Sequence, residues 1–260
     1  MGSQMERHKQ VMAGDGDKST TEEIRQRFDT EVERFSNLET GQSATVDSPL
    51  AMSLIAEVAA STTRKATSVL DVGCGAGNYT LKLLERLPNL NVTLIDLSKV
   101  MLDRAVARIR PVTGSVEAIQ GDIRQIAIGL QRHDIILAAS VLHHLRDNSQ
   151  WQSVFAKFFA ALRPGGSVWI FDLIDSSIPE VQSTMRRRYG EYLTELKDKA
   201  YRDQVFAYIE KEDTPRSLMF QLDLLREVGF SQVEVLHKNA CFAAFCARKT
   251  SRMTATRPEP

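Results

Sequence analysis

The sequence predicts one α/β domain on a doubly wound, mostly parallel seven-stranded sheet with helices on both faces. Three observations predict it. Short β-branched or apolar runs alternate with helical periods along most of the chain, as repeated β-α units require. A glycine-rich turn directly follows the first of these runs. The length of 260 residues suits one such domain with a modest insertion and is too short for two large domains.

Composition limits the partners that the chain can attract. Lysine plus arginine and aspartate plus glutamate both number 33, so no net charge favours nucleic acid or anionic lipid. The three cysteines lack C-x-x-C spacing, which indicates neither a disulfide framework nor a zinc site. No run approaches the roughly 20 apolar residues of a membrane span. We therefore expect a cytoplasmic protein with no metal and no membrane partner, and a homodimer is one candidate oligomeric state.

The N-terminal part contains a polar leader and two helices before the first strand. Residues 1–20 show no apolar periodicity, which predicts a flexible leader. From Thr21 an amphipathic helix is expected, with Thr20 or Thr21 as its N-cap and Glu23 completing the cap. Pro49 is expected to open a second helix. The apolar positions of the first helix are Ile24, Phe28, Val32 and Phe35.

Seven runs have the length and composition of strands. They are Ser68–Val72, Asn91–Ile95, Ser115–Gln120, Asp134–Ala139, Ser167–Phe171, Gln232–Leu236 and Cys241–Ala247. An aromatic stripe from Trp151 to Leu162 marks the helix between the fourth and fifth runs. We interpret that stripe as core. The turn Pro164-Gly165-Gly166 is expected to stop the helix.

The alternation breaks after the fifth strand. Val181–Glu212 is rich in Arg, Glu, Lys and Tyr, and it predicts two helices without an intervening strand. This insertion, about residues 178–212, is expected to cover the site as a lid that carries Tyr189, Tyr192, Tyr201 and Tyr208. Pro215 is expected to begin a helix that Gly229 ends. Residues 21–248 thus form the domain, and 249–260 form a polar tail.

The strongest local signal is a strand that runs into glycines. It reads Val69-Leu70-Asp71-Val72-Gly73-Cys74-Gly75-Ala76-Gly77. Glycine permits a tight turn and lets the backbone touch a ligand, because no Cβ intervenes. The third glycine comes one residue earlier than in the G-x-G-x-x-G fingerprint of dinucleotide sites.

Acidic residues also end the next two strands. Asp96 terminates the second strand, where a carboxylate can accept both ribose hydroxyls, a feature that NAD-dependent enzymes share. Asp122 follows the third strand in Gly121-Asp122-Ile123. Asp96 alone could be a helix cap and Asp122 a turn former, but their order along successive strand ends favours one ligand site.

Together these features resemble the class I S-adenosylmethionine-dependent methyltransferases. The resemblance is good over Ser68 to Ile174 and looser over Pro215 to Arg248. It implies that Asp71 reaches the ammonium group of S-adenosylmethionine, that Asp96 holds the ribose, and that Asp122 accepts from the adenine amino group. The cofactor-binding residues that it implies are Asp71, Gly73, Cys74, Gly75, Gly77, Asp96, Leu97, Met101, Asp122, Ile123 and Ala139.

The methyl acceptor is expected at the carboxyl ends of the fourth and fifth strands, where ligands of parallel sheets bind. His143, in the segment Val141-Leu142-His143-His144-Leu145, is the candidate general base. Asp172 is the candidate for orienting an acceptor amine or hydroxyl. Two adjacent histidines in an extended stretch point apart, so a shared metal ion is not expected. The expected reaction is in-line methyl displacement onto a small molecule, with positioning as the main catalytic demand.

Several alternatives remain open from the sequence. A fainter resemblance to carboxy-S-adenosylmethionine synthase, which serves tRNA wobble-uridine modification, would require a cation for the extra carboxylate, and Arg202 is the candidate. Transfer to tRNA itself is a second alternative. A non-catalytic S-adenosylmethionine-binding module and an NAD-dependent dehydrogenase are the others, since fold alone does not establish activity.

Overall fold

The structure is a computed structural model that describes residues 18–37 and 41–250. The predicted leader up to residue 17 and the tail from residue 251 lie outside the described residues. Within them the chain forms α-helices, one short 3₁₀ helix at Leu142–His144 and seven strands. The strands are β1 Ser68–Val72, β2 Asn91–Asp96, β3 Val116–Gln120, β4 His133–Ala139, β5 Leu162–Leu173, β6 Gln232–Asn239 and β7 Phe242–Arg248. The helices are α1 Thr21–Thr30, α2 Val32–Ser36, α3 Ser48–Thr62, α4 Asn78–Leu84, α5 Lys99–Ile109, α6 Asn148–Ala161, α7 Pro179–Leu196, α8 Lys199–Glu212 and α9 Leu218–Glu227.

All seven strands join one sheet in the order β3-β2-β1-β4-β5-β7-β6. The first five are parallel, and β7 runs antiparallel between β5 and β6. The predicted doubly wound, mostly parallel sheet is confirmed. The strand order reverses between β1 and β4, since β2 and β3 are added on one side and β5 on the other. The carboxyl ends of β1 and β4 therefore form the crevice in which such folds bind ligands.

Apolar side chains fill both faces of the sheet. One face packs against α6 and α9, and Trp151, Phe155 and Phe158 of the predicted aromatic stripe are fully buried there. The other face packs against α3, α4, α5 and part of α7. A sheet covered on both faces holds the loops at its carboxyl edge on a rigid base, which positions the site.

The N-terminal region differs from the expected leader and single helix. Thr20 caps α1 and Glu23 completes the capping box, as predicted. However, the helix breaks at Glu31, and α2 begins at Val32. The end of the expected flexible leader is also packed, because Lys18 Nζ donates to the backbone oxygens of Glu210 and Asp213 at 2.6 and 2.7 Å.

Two predicted boundaries near the insertion were also wrong. The helix expected from Pro215 begins only at Leu218, because the Ser217 hydroxyl accepts from the Phe220 amide at 3.2 Å and caps it there. Strand β5 begins at Leu162, since Leu162 pairs with His133 before a register shift. Gly229, with φ +115°, follows α9 as expected.

Candidate active site

The glycine loop between β1 and α4 has three left-handed glycines, Gly73, Gly75 and Gly77. A Cβ on Gly73 would lie 2.4 Å from a methyl of Val141, so that glycine is required for packing. A Cβ on Gly75 would meet nothing within 4 Å. The loop therefore packs closely on one side and leaves a space in front of Gly75 that a ligand can fill.

Two buried carboxylates lie beside this loop. Asp71, at 2 % exposure, accepts from the Thr80 hydroxyl at 2.6 Å. Burial raises its pKa to about 7, although the bond from Thr80 favours the charged form. Asp96 accepts from the amides of Gly75 and Ser98 at 2.8 and 2.9 Å, and burial raises its pKa to about 6. An ammonium group and ribose hydroxyls are suitable donors for these buried carboxylates.

The adenine end of the cleft lies between Asp96 and the residues after β3. Asp122 is held by Arg124, whose Nε lies 2.8 Å from Oδ2. Arg124 also donates to the Thr21 hydroxyl of α1 at 2.7 Å. Ile123 is buried and lines this part of the cleft. A carboxylate has lone pairs for both Arg124 and an adenine amino group.

The structure brings together almost all of the predicted cofactor residues. The cleft lining includes Asp71, Gly73, Cys74, Gly75, Asp96, Leu97, Met101, Asp122, Ile123 and Ala139. Gly77 does not line it. A Cβ on Gly77 would lie 2.8 Å from Ile109 Cδ1, so its place is to pack α4 against α5.

Helices α1 and α2 cover this cleft. Phe28 and Phe35 line it and pack against the cluster of Met101, Ala76 and Val32. Asn78 Nδ2 donates to the Phe35 backbone oxygen at 2.9 Å, which fastens α2 to the start of α4. The cofactor cleft is therefore closed from the N-terminal side.

A second cavity, which we call the acceptor cavity, adjoins the cofactor cleft and has a volume of about 270 Å³. The two spaces share Phe28, Phe35, Gln42 and Ser140. The other side of the acceptor cavity is mainly aromatic. It includes Tyr189, Tyr201, Tyr208 and Phe242, and the histidine and charged side chains in the cavity lining are His143, Asp213, Arg27, Glu31 and Arg34.

His143 lies at the base of the acceptor cavity and is held by Asp172. Its Nδ1 contacts Asp172 Oδ1, and Asp172 also accepts from the Leu142 and Leu173 amides at 2.7 Å each. Asp172 has no exposed surface and does not line the cavity. The expectation that Asp172 orients an acceptor directly is therefore wrong, because its oxygens are already used to hold His143 and the loop.

Both ring nitrogens of His143 face carboxylates. Its Nε2 lies 3.7 Å from Asp213 Oδ1. Burial by itself lowers the pKa of His143, but the charges of Asp172 and then Asp213 outweigh it and raise the pKa to about 9. A neutral imidazole has only one N–H, so two flanking carboxylates favour the protonated ring. A protonated His143 can donate to an acceptor atom, which differs from the expected general base.

The histidine pair also departs from the sequence expectation. His143 and His144 lie in the 3₁₀ helix rather than an extended stretch, and their ring centroids are 4.4 Å apart. Asp213 Oδ1 lies 3.2 Å from His144 Nδ1. Burial lowers the pKa of His144, and the charge of His143 lowers it further. The prediction that the two rings point apart is wrong, because the tight turn brings both toward Asp213.

The insertion forms part of the acceptor cavity, but not with the residue singled out for an extra carboxylate. Tyr189 and Tyr208 line the cavity, whereas Arg202 lies in a separate surface groove between α7 and α8. Arg202 Nη2 pairs with Asp203 at 2.6 Å. Arg202 thus lies outside the cofactor cleft, since its side chain packs in that groove against Gly190 of α7.

Two residues of the site were missed by sequence reasoning. Ser140 follows β4 with φ +53°, and its buried hydroxyl has no hydrogen-bond partner among the described residues. Its position at a strand end was a usable signal. Asp213 follows α8 in a polar segment, and nothing in the sequence separates it from neighbouring acids. Only the return of the chain from the insertion brings Asp213 to the histidines.

Comparison with known proteins agrees with this geometry. A sequence model of a family described as a methyltransferase domain matches residues 69–166. The chain is 29 % identical over 212 residues to the carboxy-S-adenosyl-L-methionine synthase of Wolinella succinogenes, covering 77 % of this chain and 84 % of that one. It is 24 % identical over 191 residues to the demethylmenaquinone methyltransferase of Lactococcus lactis, with coverages of 71 % and 74 %.

Solved structures show the same fold. Human N-acetylserotonin methyltransferase in complex with S-adenosylmethionine superposes with a TM-score of 0.53 at 17 % identity, over 89 % of this chain and 57 % of that one. The methyltransferase-domain match, the relatives and the fold support a class I S-adenosylmethionine-dependent methyltransferase with S-adenosylmethionine as its cofactor. Across residues 18–37 and 41–250, every helix is too short or too polar to cross a bilayer.

Proposed function

We propose that this enzyme transfers methyl groups to a small molecule bound in the acceptor cavity, by in-line displacement. The observation that carries the proposal is the shared wall of Phe28, Phe35, Gln42 and Ser140 between that cavity and the cofactor cleft. A ligand in one space can thus touch a ligand in the other. The cavity volume of about 270 Å³ suits a compact molecule rather than a polymer.

The cofactor cleft has one carboxylate for each of three polar parts of S-adenosylmethionine, its ammonium group, its ribose and its adenine amino group. S-adenosylmethionine supplies an electrophilic methyl group on a cationic sulfur. All three carboxylates line the cleft, and we assign Asp71 to the ammonium group, Asp96 to the ribose and Asp122 to adenine. A cofactor held in this way accelerates methyl transfer mainly because the reacting atoms are aligned. Such alignment can lower the activation barrier by about 7–11 kcal/mol.

The acceptor cavity favours a planar or apolar molecule with an oxygen or nitrogen atom. Tyr201, Tyr208 and Phe242 provide aromatic surface, and His143 provides a polar contact at one end. The Tyr189 hydroxyl already donates to the Ala44 backbone oxygen at 2.8 Å, so it contributes mainly its ring. A small phenol, enol or carboxylic acid matches this combination of an apolar body and one polar end.

A labelled-methyl screen tests the proposal. The purified chain is incubated with methyl-labelled S-adenosylmethionine and small phenols, enols, carboxylic acids and amines, and products are followed by mass spectrometry. We expect label on a small molecule and matching release of S-adenosylhomocysteine. Tyr208→Ala should raise KM for that acceptor, because Tyr208 lines the cavity.

Leu196→Ala is the control, because Leu196 also lies in the insertion but is exposed and does not line the acceptor cavity. Its KM for the acceptor should stay close to that of the unaltered chain. Label found only on RNA or protein would contradict the small-molecule proposal. Cofactor binding without turnover by any acceptor would favour a non-catalytic module.

A second candidate is a carboxy-S-adenosylmethionine synthase-like activity, favoured by the 29 % identity to the Wolinella succinogenes enzyme. The placement of Arg202 weighs against it, since Arg202 lies outside the cofactor cleft. Mass spectrometry of the ligand that copurifies with the chain distinguishes the two candidates. The unmodified cofactor or its demethylated product supports methyl transfer, and a carboxylated cofactor supports the second candidate.

A further inference from the structure

His143, His144 and Asp213 form a compact cluster at the junction of the cofactor cleft and the acceptor cavity. One ring nitrogen from each histidine and one oxygen of Asp213 all lie within 4.8 Å of one another. His143 and Asp213 line the acceptor cavity, and His144 lines the cofactor cleft. The three donors thus come from two separate segments, the 3₁₀ helix and the residue after α8.

Several polar atoms of this cluster are buried without a hydrogen-bond partner among the described residues. They are both ring nitrogens of His144 and Oδ1 of Asp213. The 3.2 Å approach of His144 Nδ1 to Asp213 Oδ1 lacks hydrogen-bond alignment. Leaving buried polar atoms unpaired costs free energy, so their concentration at one point indicates a ligand.

The arrangement around His143 is also typical of a metal ligand. Its Nδ1 contacts the fully buried carboxylate of Asp172, which fixes the ring and leaves Nε2 facing Asp213. Histidines that bind metal ions almost always have such a carboxylate or carbonyl on the other ring nitrogen. We propose that His143, His144 and Asp213 bind a divalent transition-metal ion that has open coordination positions toward the acceptor cavity.

The charges around the cluster permit a cation there. The Arg27 guanidinium is paired with Glu212 at 3.1 Å and with Glu31 at 3.2 Å. Two further cations already donate to backbone oxygens beside the cluster, Lys18 Nζ to Asp213 O at 2.7 Å and Arg146 Nη1 to Glu212 O. Asp172 and Asp213 then contribute two carboxylates to the immediate surroundings. Metal binding would replace the proton that these carboxylates otherwise favour on His143.

The donor set selects the kind of metal. Two imidazole nitrogens and one carboxylate suit Fe²⁺, Co²⁺, Ni²⁺ or Zn²⁺, whereas Mg²⁺ and Ca²⁺ prefer oxygen ligands. This inference rests on the proposed function in one respect. A metal ion at this point would bind an acceptor oxygen and hold it beside the cofactor cleft, because its open positions face the acceptor cavity.

Cobalt titration of the full chain tests the site. The chain is freed of metal with chelator, and Co²⁺ is added while visible absorption and binding heat are recorded. We expect one equivalent of Co²⁺ to bind with the spectrum of an ion that has nitrogen and oxygen ligands. Added Zn²⁺ should displace the bound Co²⁺, and added Mg²⁺ should not. His144→Gln and Asp213→Asn should abolish this binding, and Asp172→Asn should weaken it about 10- to 100-fold.

His237→Gln is the matched control, because His237 on β6 pairs with Asp47, outside this cluster. It should bind Co²⁺ like the unaltered chain. The metal site would be overturned if the unaltered chain did not bind one equivalent of Co²⁺. It would also be overturned if His144→Gln, which lacks the His144 ring, bound Co²⁺ with the same affinity as the unaltered chain. S-adenosylhomocysteine affinity and methyl transfer are measured on the metal-free chain in parallel. Full transfer without metal binding would reject the metal site alone, and metal binding without transfer would reject the proposed function alone.

Discussion

Replacement of Asp96 by alanine should weaken cofactor binding by a predictable amount. The carboxylate lies at the end of β2 and lines both parts of the cofactor cleft. A hydrogen bond to a charged group contributes about 1.5–3 kcal/mol. Two ribose hydroxyls would share one carboxylate that already accepts from Gly75 and Ser98, so we expect a total loss of about 2–3 kcal/mol.

This loss corresponds to an increase of about 30- to 150-fold in the Kd of S-adenosylhomocysteine, measured by calorimetry. Asp103→Ala is the matched control, because Asp103 lies on the neighbouring helix α5 with an exposed side chain that pairs with Lys99. Its Kd should not change. A Kd for Asp96→Ala within about threefold of the unaltered chain would refute the ribose role, because that difference is below about 1 kcal/mol.

The buried carboxylates of the same cleft predict that cofactor affinity depends on pH. Burial and the charge of Asp96 raise the pKa of Asp71 to about 7, and burial and the charge of Asp29 raise the pKa of Asp96 to about 6. Ammonium and hydroxyl donors favour the ionised carboxylates, so the bound state has lower pKa values than the free state. Affinity should therefore be highest above the free pKa values and fall as the pH drops through them. Constant or rising affinity on acidification, again by calorimetry, would contradict these contacts.

Two stability predictions follow from the core, and both are measured by urea unfolding. Gly77→Ala should destabilise the chain by at least about 1–2 kcal/mol, because φ is +83° and the added Cβ would meet Ile109 Cδ1, whereas Gly114→Ala has open space and should be nearly neutral. Phe158→Ala should cost about 3–5 kcal/mol, since Phe158 is fully buried, while the exposed Met219→Ala should stay within about 0.5 kcal/mol. Equal midpoints within either pair would show that the packing argument is wrong.

Much of the fold could be predicted from local sequence patterns. Strand β1 has the predicted bounds, and the other strands differ mainly at their ends. Asp96 and Asp122 were predicted because they end or follow a parallel strand, and Asp71 because it precedes the glycine loop after β1. Such strand ends meet at one edge of the sheet. Periodicity and glycine placement act over a few residues, so the sequence shows them directly.

Features that depend on distant segments could not be predicted in this way. The break at Glu31 and the late start of α9 depend on which capping group the packed chain uses. Lys18 packs against the end of α8 and contacts Asp213, which lies 195 positions later in the sequence. Amino-acid composition carries no information about such long-range contacts, so composition alone assigned Lys18 to a flexible leader.

The sequence by itself determined the cofactor-binding part of the enzyme. That part consists of the parallel sheet, its glycine loop and the acids at successive strand ends. Tertiary structure decided the acceptor half. It buried Asp172 behind His143, placed Arg202 in the groove between α7 and α8, and turned His144 toward Asp213. The physical reason is that cofactor residues follow strands whose order in the sheet is regular, whereas the acceptor residues meet only where an irregular helical insertion returns to the sheet.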